Sequence, residues 1–215
     1  MDSQACAGEA VVCVHGIWMT GHEHLLLRRW LRRSGYRTYR FRYPSVLGDP
    51  AANVQRLRRF VAGLDEPVVH FLGHSLGGRL ILEMMDRDPP PQPGHVVCLG
   101  TPCNGSYAAA WLDRWPLARW LLGRARPVLV HGYGRWEGER AVGVIAGNRG
   151  FGPGRVLPGF RGPSDGTVAV GETRLPGADH LELPVSHTGF LLSRRAAEQT
   201  CQFFDTGTFQ APWAK

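Results

Sequence analysis

The chain has 215 residues, 43% of them hydrophobic and 20% charged, a composition that suits one soluble globular domain with a substantial core. No apolar run approaches the roughly 20 residues needed to cross a bilayer, which excludes a helical membrane span. The formal net charge of +7 would suit an anionic partner, but the arginines are scattered through helix-like segments, as in Arg28, Arg29, Arg32 and Arg33. No nucleic-acid partner is therefore expected, and weak association with a membrane surface is the one interaction the charge still favours.

Residues 1–10 carry neither a basic n-region nor an apolar h-region, so no secretory leader is expected and a cytoplasmic protein is. The cysteines (Cys6, Cys13, Cys98, Cys103, Cys201) are odd in number and lack CxxC spacing, which favours a reducing compartment but leaves room for one disulfide. Residues 10–14 are apolar and β-branched, as a strand buried on both faces requires, and they end in His15-Gly16. Residues 25–33 predict a helix stopped by Gly35, and 36–41 the next strand. Asp49 before Pro50 marks a helix start, after which Val54, Leu57, Val61 and Leu64 recur down one face. Strands follow over 68–72, 95–99, 142–146 and 180–183, with helices over 76–86 and 190–204. Strand and helix in turn, without internal repeats, predict an α/β fold. We expect a mostly parallel sheet of about six strands flanked by helices, forming one domain over residues 1–215 with its core at 10–205.

Two stretches break this rhythm. Residues 103–140 carry Trp111, Trp115, Trp120 and Trp136, and 147–166 are crowded with glycine and proline. Loops that long in a compact domain are usually functional or disordered.

The strongest chemical signal is Gly73-His74-Ser75-Leu76-Gly77, with a strand running into it and a helix running out. A serine on so tight a turn needs small neighbours two residues either side, and the helix start aims N–H groups and partial positive charge at the reacting centre. Serine is a weak nucleophile and needs a base. Ser164-Asp165-Gly166 and Ser186-His187-Thr188 each follow a strand's carboxyl end, where open α/β sheets build their sites. Ser75, His187 and Asp165 thus become candidate nucleophile, base and orienting acid. His180 precedes its strand, at the wrong end of the sheet, and Asp179, Glu182 and Asp113 are less well placed than Asp165. Oxyanion donors are expected from the N–H of Leu76 and, beside Gly16, from Ile17, with Trp18 in reserve.

Together with Leu99-Gly100-Thr101-Pro102, these motifs make the chain resemble the small bacterial lipases and esterases of the α/β-hydrolase superfamily over residues 11–204. The resemblance implies a carboxylic ester or lipid substrate, no cofactor and no metal. It also implies that the Thr-Pro segment leads into the acyl pocket, and that any lid is small or absent, confined to 103–140. Substrate-binding candidates are Trp18 and His74 beside the site, with Trp111 and Trp115 as an apolar wall, although Pro116 interrupts their helix. By spacing, Trp111, Trp115 and Leu122 share one face, while at least two of the four tryptophans are expected to pack in the core. An acyltransferase or thioesterase would use the same triad, and a silent binding protein the same fold. The sequence does not fix the oligomeric state.

Overall fold

The computed structural model describes residues 8–152, 154 and 157–210; Cys6 and most of the N-terminal segment 1–10, where no leader is expected, lie outside them. β1 (Glu9–Val14) is an interior strand, buried over Ala10–Val14. Its alternate residues feed two separate cores: Ala10, Val12 and Val14 face one side, Val11 and Cys13 the other. Both faces must then be covered by helices, as the unbroken apolar run demands.

Six strands form one parallel sheet in the order β2-β1-β3-β4-β5-β6. β2 is Arg37–Phe41, β3 Val68–His74, β4 Val96–Leu99, β5 Val142–Gly147 and β6 Asp179–Leu183. α1 (Leu25–Arg33) and α8 (Arg194–Thr206) bury Leu27, Leu31, Phe203 and Phe204 against one face. α2 (Pro50–Ala62) and α3 (Leu76–Arg87) bury Val54, Leu57, Ile81 and Met84 against the other. Asp49 caps α2 as its sequence implied, its carboxylate accepting from the Ala52 N–H at 3.0 Å.

The C-terminal helix differs from expectation. Gly189–Leu192 is a 3₁₀ turn, the chain extends at Ser193, and α8 starts afresh there with the Ser193 hydroxyl accepting from the Ala196 N–H. Residues 107–130 fold as three short helices, α4 (Tyr107–Asp113), α5 (Pro116–Leu122) and α6 (Arg126–Val130), and α7 (Val170–Thr173) is a single turn before β6. Pro116 opens α5, so α4 and α5 are separate rods. Cys13, Cys98 and Cys103 are buried free thiols, and Cys201 is buried too. No helix among the described residues is long and apolar enough to cross a membrane.

Candidate active site

The strand order reverses direction between β1 and β3, so the loops leaving these two strands diverge and open a crevice at their carboxyl ends. Ser75 stands there, between β3 and α3, with φ 54° and ψ −122°. Among the described residues only Trp18 shares a positive φ without being glycine, and it lies on the loop after β1. A left-handed residue costs of the order of 1–2 kcal/mol unless its surroundings fix it. Here they do. The Ser75 N–H donates to Leu99 O at 2.9 Å, and its carbonyl accepts from the Gly78 N–H and from the Thr101 hydroxyl at 3.0 Å. The turn closes only because Gly73 lies against the Gly78 backbone, while a Cβ on Gly77 would strike the carbonyl oxygens of Val14 and His15.

His187 follows β6, and its Nδ1 lies 2.6 Å from Asp165 Oδ2. Asp165 is fully buried, and its other oxygen accepts the N–H groups of Thr167 and Val168 at 2.9 and 2.7 Å. Three donors converge on one carboxylate, the arrangement that suits an ionised acid away from water. The His187 N–H also donates to the Asp165 carbonyl, which ties the two loops together. Because the carboxylate only accepts, the network assigns the proton to Nδ1 and leaves Nε2 as the basic nitrogen. Neither Nε2 nor the Ser75 hydroxyl bonds to a described residue; Ser75 keeps 7% of its surface exposed and the His187 side chain 12%.

His74 joins the two halves. It is fully buried, its Nε2 donates to the His187 carbonyl at 2.9 Å, and its ring lies 4.8 Å from that of His187. Burial, then repulsion by His187 and His24, holds its pKa well below the usual histidine range. It therefore sits as a neutral ring that holds the His187 loop through that carbonyl. The other acids are occupied elsewhere. Asp113 pairs with Arg119 and Arg126, Asp179 accepts from the N–H groups of His180 and Phe209, and Glu182 lies beside Arg174. His180 contacts the Thr173 hydroxyl.

The backbone N–H groups of Ile17 and Leu76 have no protein acceptor among the described residues. Gly16 brings the first loop to the second: a Cβ there would lie 3.2 Å from Ser75 Cβ. The reserve donor is taken, since the Trp18 N–H donates to Ser45 Oγ at 3.2 Å.

Gly100 and Thr101 hold a role the sequence did not reveal. Gly100 has φ +55°, and a Cβ on it would lie 2.9 Å from Asp165 Oδ2 and 3.1 Å from His187 Nδ1. Thr101 clamps the Ser75 carbonyl and leaves room only for glycine at position 78. Nothing in the composition of the Leu-Gly-Thr-Pro segment says that it braces the serine turn and makes room for the Asp-His pair.

The helices of residues 107–130 cover this end of the sheet. Their inner face, Ala109, Leu122, Ala125 and Leu129, packs with Leu76 and Ile17. Trp136 is the only one of the four segment tryptophans in the buried core, so the expectation of two or more is corrected. Nor do Trp111, Trp115 and Leu122 share a face: Leu122 is buried and Trp115 is 57% exposed, because the helix restarts at Pro116. The Trp111 and Trp115 rings lie 6.1 Å apart. Trp18 is exposed, and its indole N–H donates to the Leu121 carbonyl at 2.9 Å.

A cavity of about 390 Å³ runs down α3 from Leu76, between α2 and α6. Leu76, Leu80, Val54, Ala125 and Val128 line its apolar part, and Arg79, Glu83 and Arg87 its polar side. Ser75, Trp111 and Trp115 do not line it, although Leu76 places it one residue from the serine.

The structure is similar to several solved ones. A mature-form lipase of Bacillus licheniformis superposes with a TM-score of 0.74 at 20% identity, over 93% of this chain and 92% of the lipase. A metagenomic carboxyl esterase gives 0.68 at 20% identity, over 85% of this chain and 65% of the esterase. The NocB thioesterase domain from the nocardicin cluster gives 0.62 at 16% identity, over 93% and 95%. At these identities the likeness is one of fold. No curated protein matches the chain in sequence. The model of the alpha/beta hydrolase family matches residues 11–196, most of the chain, and with the parallel sheet and the serine turn at its reversal point this places the protein in that family.

Proposed function

We propose that the protein is a serine hydrolase of carboxylic esters, acting through an acyl-enzyme on Ser75. The observation that supports this most is a serine held at positive φ on a tight turn whose preceding residue, His74, bonds the carbonyl of His187, a histidine whose Nδ1 is bound by a buried aspartate. In this reading His187 Nε2 takes the Ser75 proton as Oγ attacks the ester carbonyl. The Ile17 and Leu76 N–H groups receive the oxyanion, and the partial positive charge of the α3 N-terminus adds to their field. His187 then protonates the leaving alcohol, and water releases the acid by the reverse path. Asp165 keeps the imidazole in the required tautomer and stabilises its charged form. The apolar cavity beside Leu76 takes the acyl chain. Trp18, Trp111 and Trp115 take part only at the rim, and His74 acts by positioning His187. The chain works as a single domain and needs no metal or cofactor for these steps.

The test is hydrolysis of p-nitrophenyl esters from acetate to palmitate by wild type and Ser75→Ala, with acyl thioesters alongside. Ester turnover that disappears in Ser75→Ala supports the reading. Folded wild type without turnover on any ester removes it, and turnover of thioesters alone moves the activity to thioester cleavage.

A further inference from the structure

The outer face of the cap carries more apolar surface than its role over the sheet requires. In α5, Leu117 is 89% exposed and Trp120 83%, with Leu121 beside them on the same side of the helix. Trp18 continues the surface, its indole tied to the Leu121 carbonyl, and Leu47 continues it again across a groove of about 570 Å³. The Arg124 N–H fastens the loop that carries Leu47 to the cap by donating to Val46 O at 2.8 Å. Single exposed leucines and tryptophans are ordinary, but a contiguous group of this kind marks an interaction surface.

Its charge selects the partner. Arg42 and Arg56 are the only charged residues lining the groove, and Arg114 and Arg124 stand exposed on the cap without an ion pair among the described residues. The one carboxylate of the three cap helices, Asp113, is neutralised by Arg119 and Arg126 at 3.2 and 2.8 Å. A second copy meeting this face about a two-fold axis would set arginines against arginines. We infer that the face formed by α5, Trp18 and Leu47 docks on an anionic lipid surface, with tryptophan and leucine in the interface and arginine at the phosphates. The cap's inner face packs on Leu76 and Ile17, so docking holds the Ser75 crevice close to the bilayer. This inference does not depend on what Ser75 does.

The experiment is vesicle co-flotation of the full chain with phosphatidylcholine alone and with phosphatidylcholine mixed with phosphatidylglycerol, at low and high salt. Binding to the mixed vesicles, weakened by salt, is expected. Leu117→Ser with Trp120→Ser should lower the partition coefficient by roughly ten-fold or more without changing the melting temperature, because both side chains are exposed. Arg42→Gln with Arg56→Gln should remove most of the preference for the anionic vesicles. No binding to mixed vesicles, equal binding to both kinds, or binding that the Leu117/Trp120 variant retains would overturn the proposal. So would a wild-type dimer that the same variant dissolves, which would give the face to a second copy.

Discussion

Gly100→Ala tests whether the space beside the Asp165–His187 pair is needed for turnover. The added methyl would meet Asp165 Oδ2 and Phe190 Cε2 at 2.9 Å and His187 Nδ1 at 3.1 Å, where ordinary contact begins at 3.4 Å. Something must yield by about half an ångström, and two of the three neighbours are the paired groups themselves. The backbone adds a second cost, because φ +55° disfavours any residue with a Cβ by about 1–2 kcal/mol. At roughly 2–4 °C per kcal/mol for a chain of this size, the backbone cost alone should lower the melting temperature by about 2–8 °C, and the clash lowers it further. A misplacement of about 1 Å costs roughly 100-fold in turnover, so half of that should cost about ten-fold, mostly in kcat. Calorimetry and p-nitrophenyl ester kinetics on the same preparation separate the two effects. A variant that loses stability as expected yet keeps wild-type kcat would refute the idea that this packing sets the geometry of the pair.

Asp165→Asn should keep the fold and lower kcat by about four orders of magnitude, since an amide no longer fixes the Nδ1–H tautomer; steady-state kinetics above the Ser75→Ala background check it. Val128→Trp would fill the cavity beside Leu76 and should move the ester optimum to shorter acyl chains, whereas an unchanged chain-length profile would place the acyl site elsewhere. Stability should also fall in mild acid. Burial, then repulsion from His15, lowers the His24 pKa to about 4, and burial, then His95 and Arg140, lowers that of His70 to about 3. The His70 ring is neutral, since its Nδ1 accepts from the His95 N–H while Nε2 donates to Glu9. The unfolded chain takes up these protons near pH 6.5 and the folded one does not, so stability is complete above that pH and is lost as pH falls towards 4 and 3. Each group adds a slope approaching 1.4 kcal/mol per pH unit, by order of magnitude. Urea midpoints at pH 7, 6 and 5 should decline accordingly and decline less in His24→Leu; a flat profile would contradict the burial argument.

Much of the architecture was legible because it rests on local rules. The apolar runs that became β1 and β3 are buried on both sides, the Asp49-Pro50 start is a capping signal, and the serine turn is enforced by glycines that backbone contact leaves no choice about. What stayed hidden is what depends on packing between distant segments. Gly100 and Thr101 act through loops that follow other strands, and His74 acts through a carbonyl 113 residues away. The tryptophans misled because hydrophobic residues do not announce which side of a thin layer they occupy: Trp136 went into the core, while Trp115 and Trp120 stayed outside. The break at Ser193 was visible in principle, since a serine before Arg194 in an apolar helical run is a capping residue, but the apolar spacing on either side concealed it.

The most direct test of the central claim is covalent labelling of the native protein with a fluorophosphonate, followed by peptide mapping. One adduct on Ser75 is expected, formed much more slowly in His187→Ala and absent in Ser75→Ala. Folded wild type that remains unlabelled, or an adduct on another serine, would contradict it.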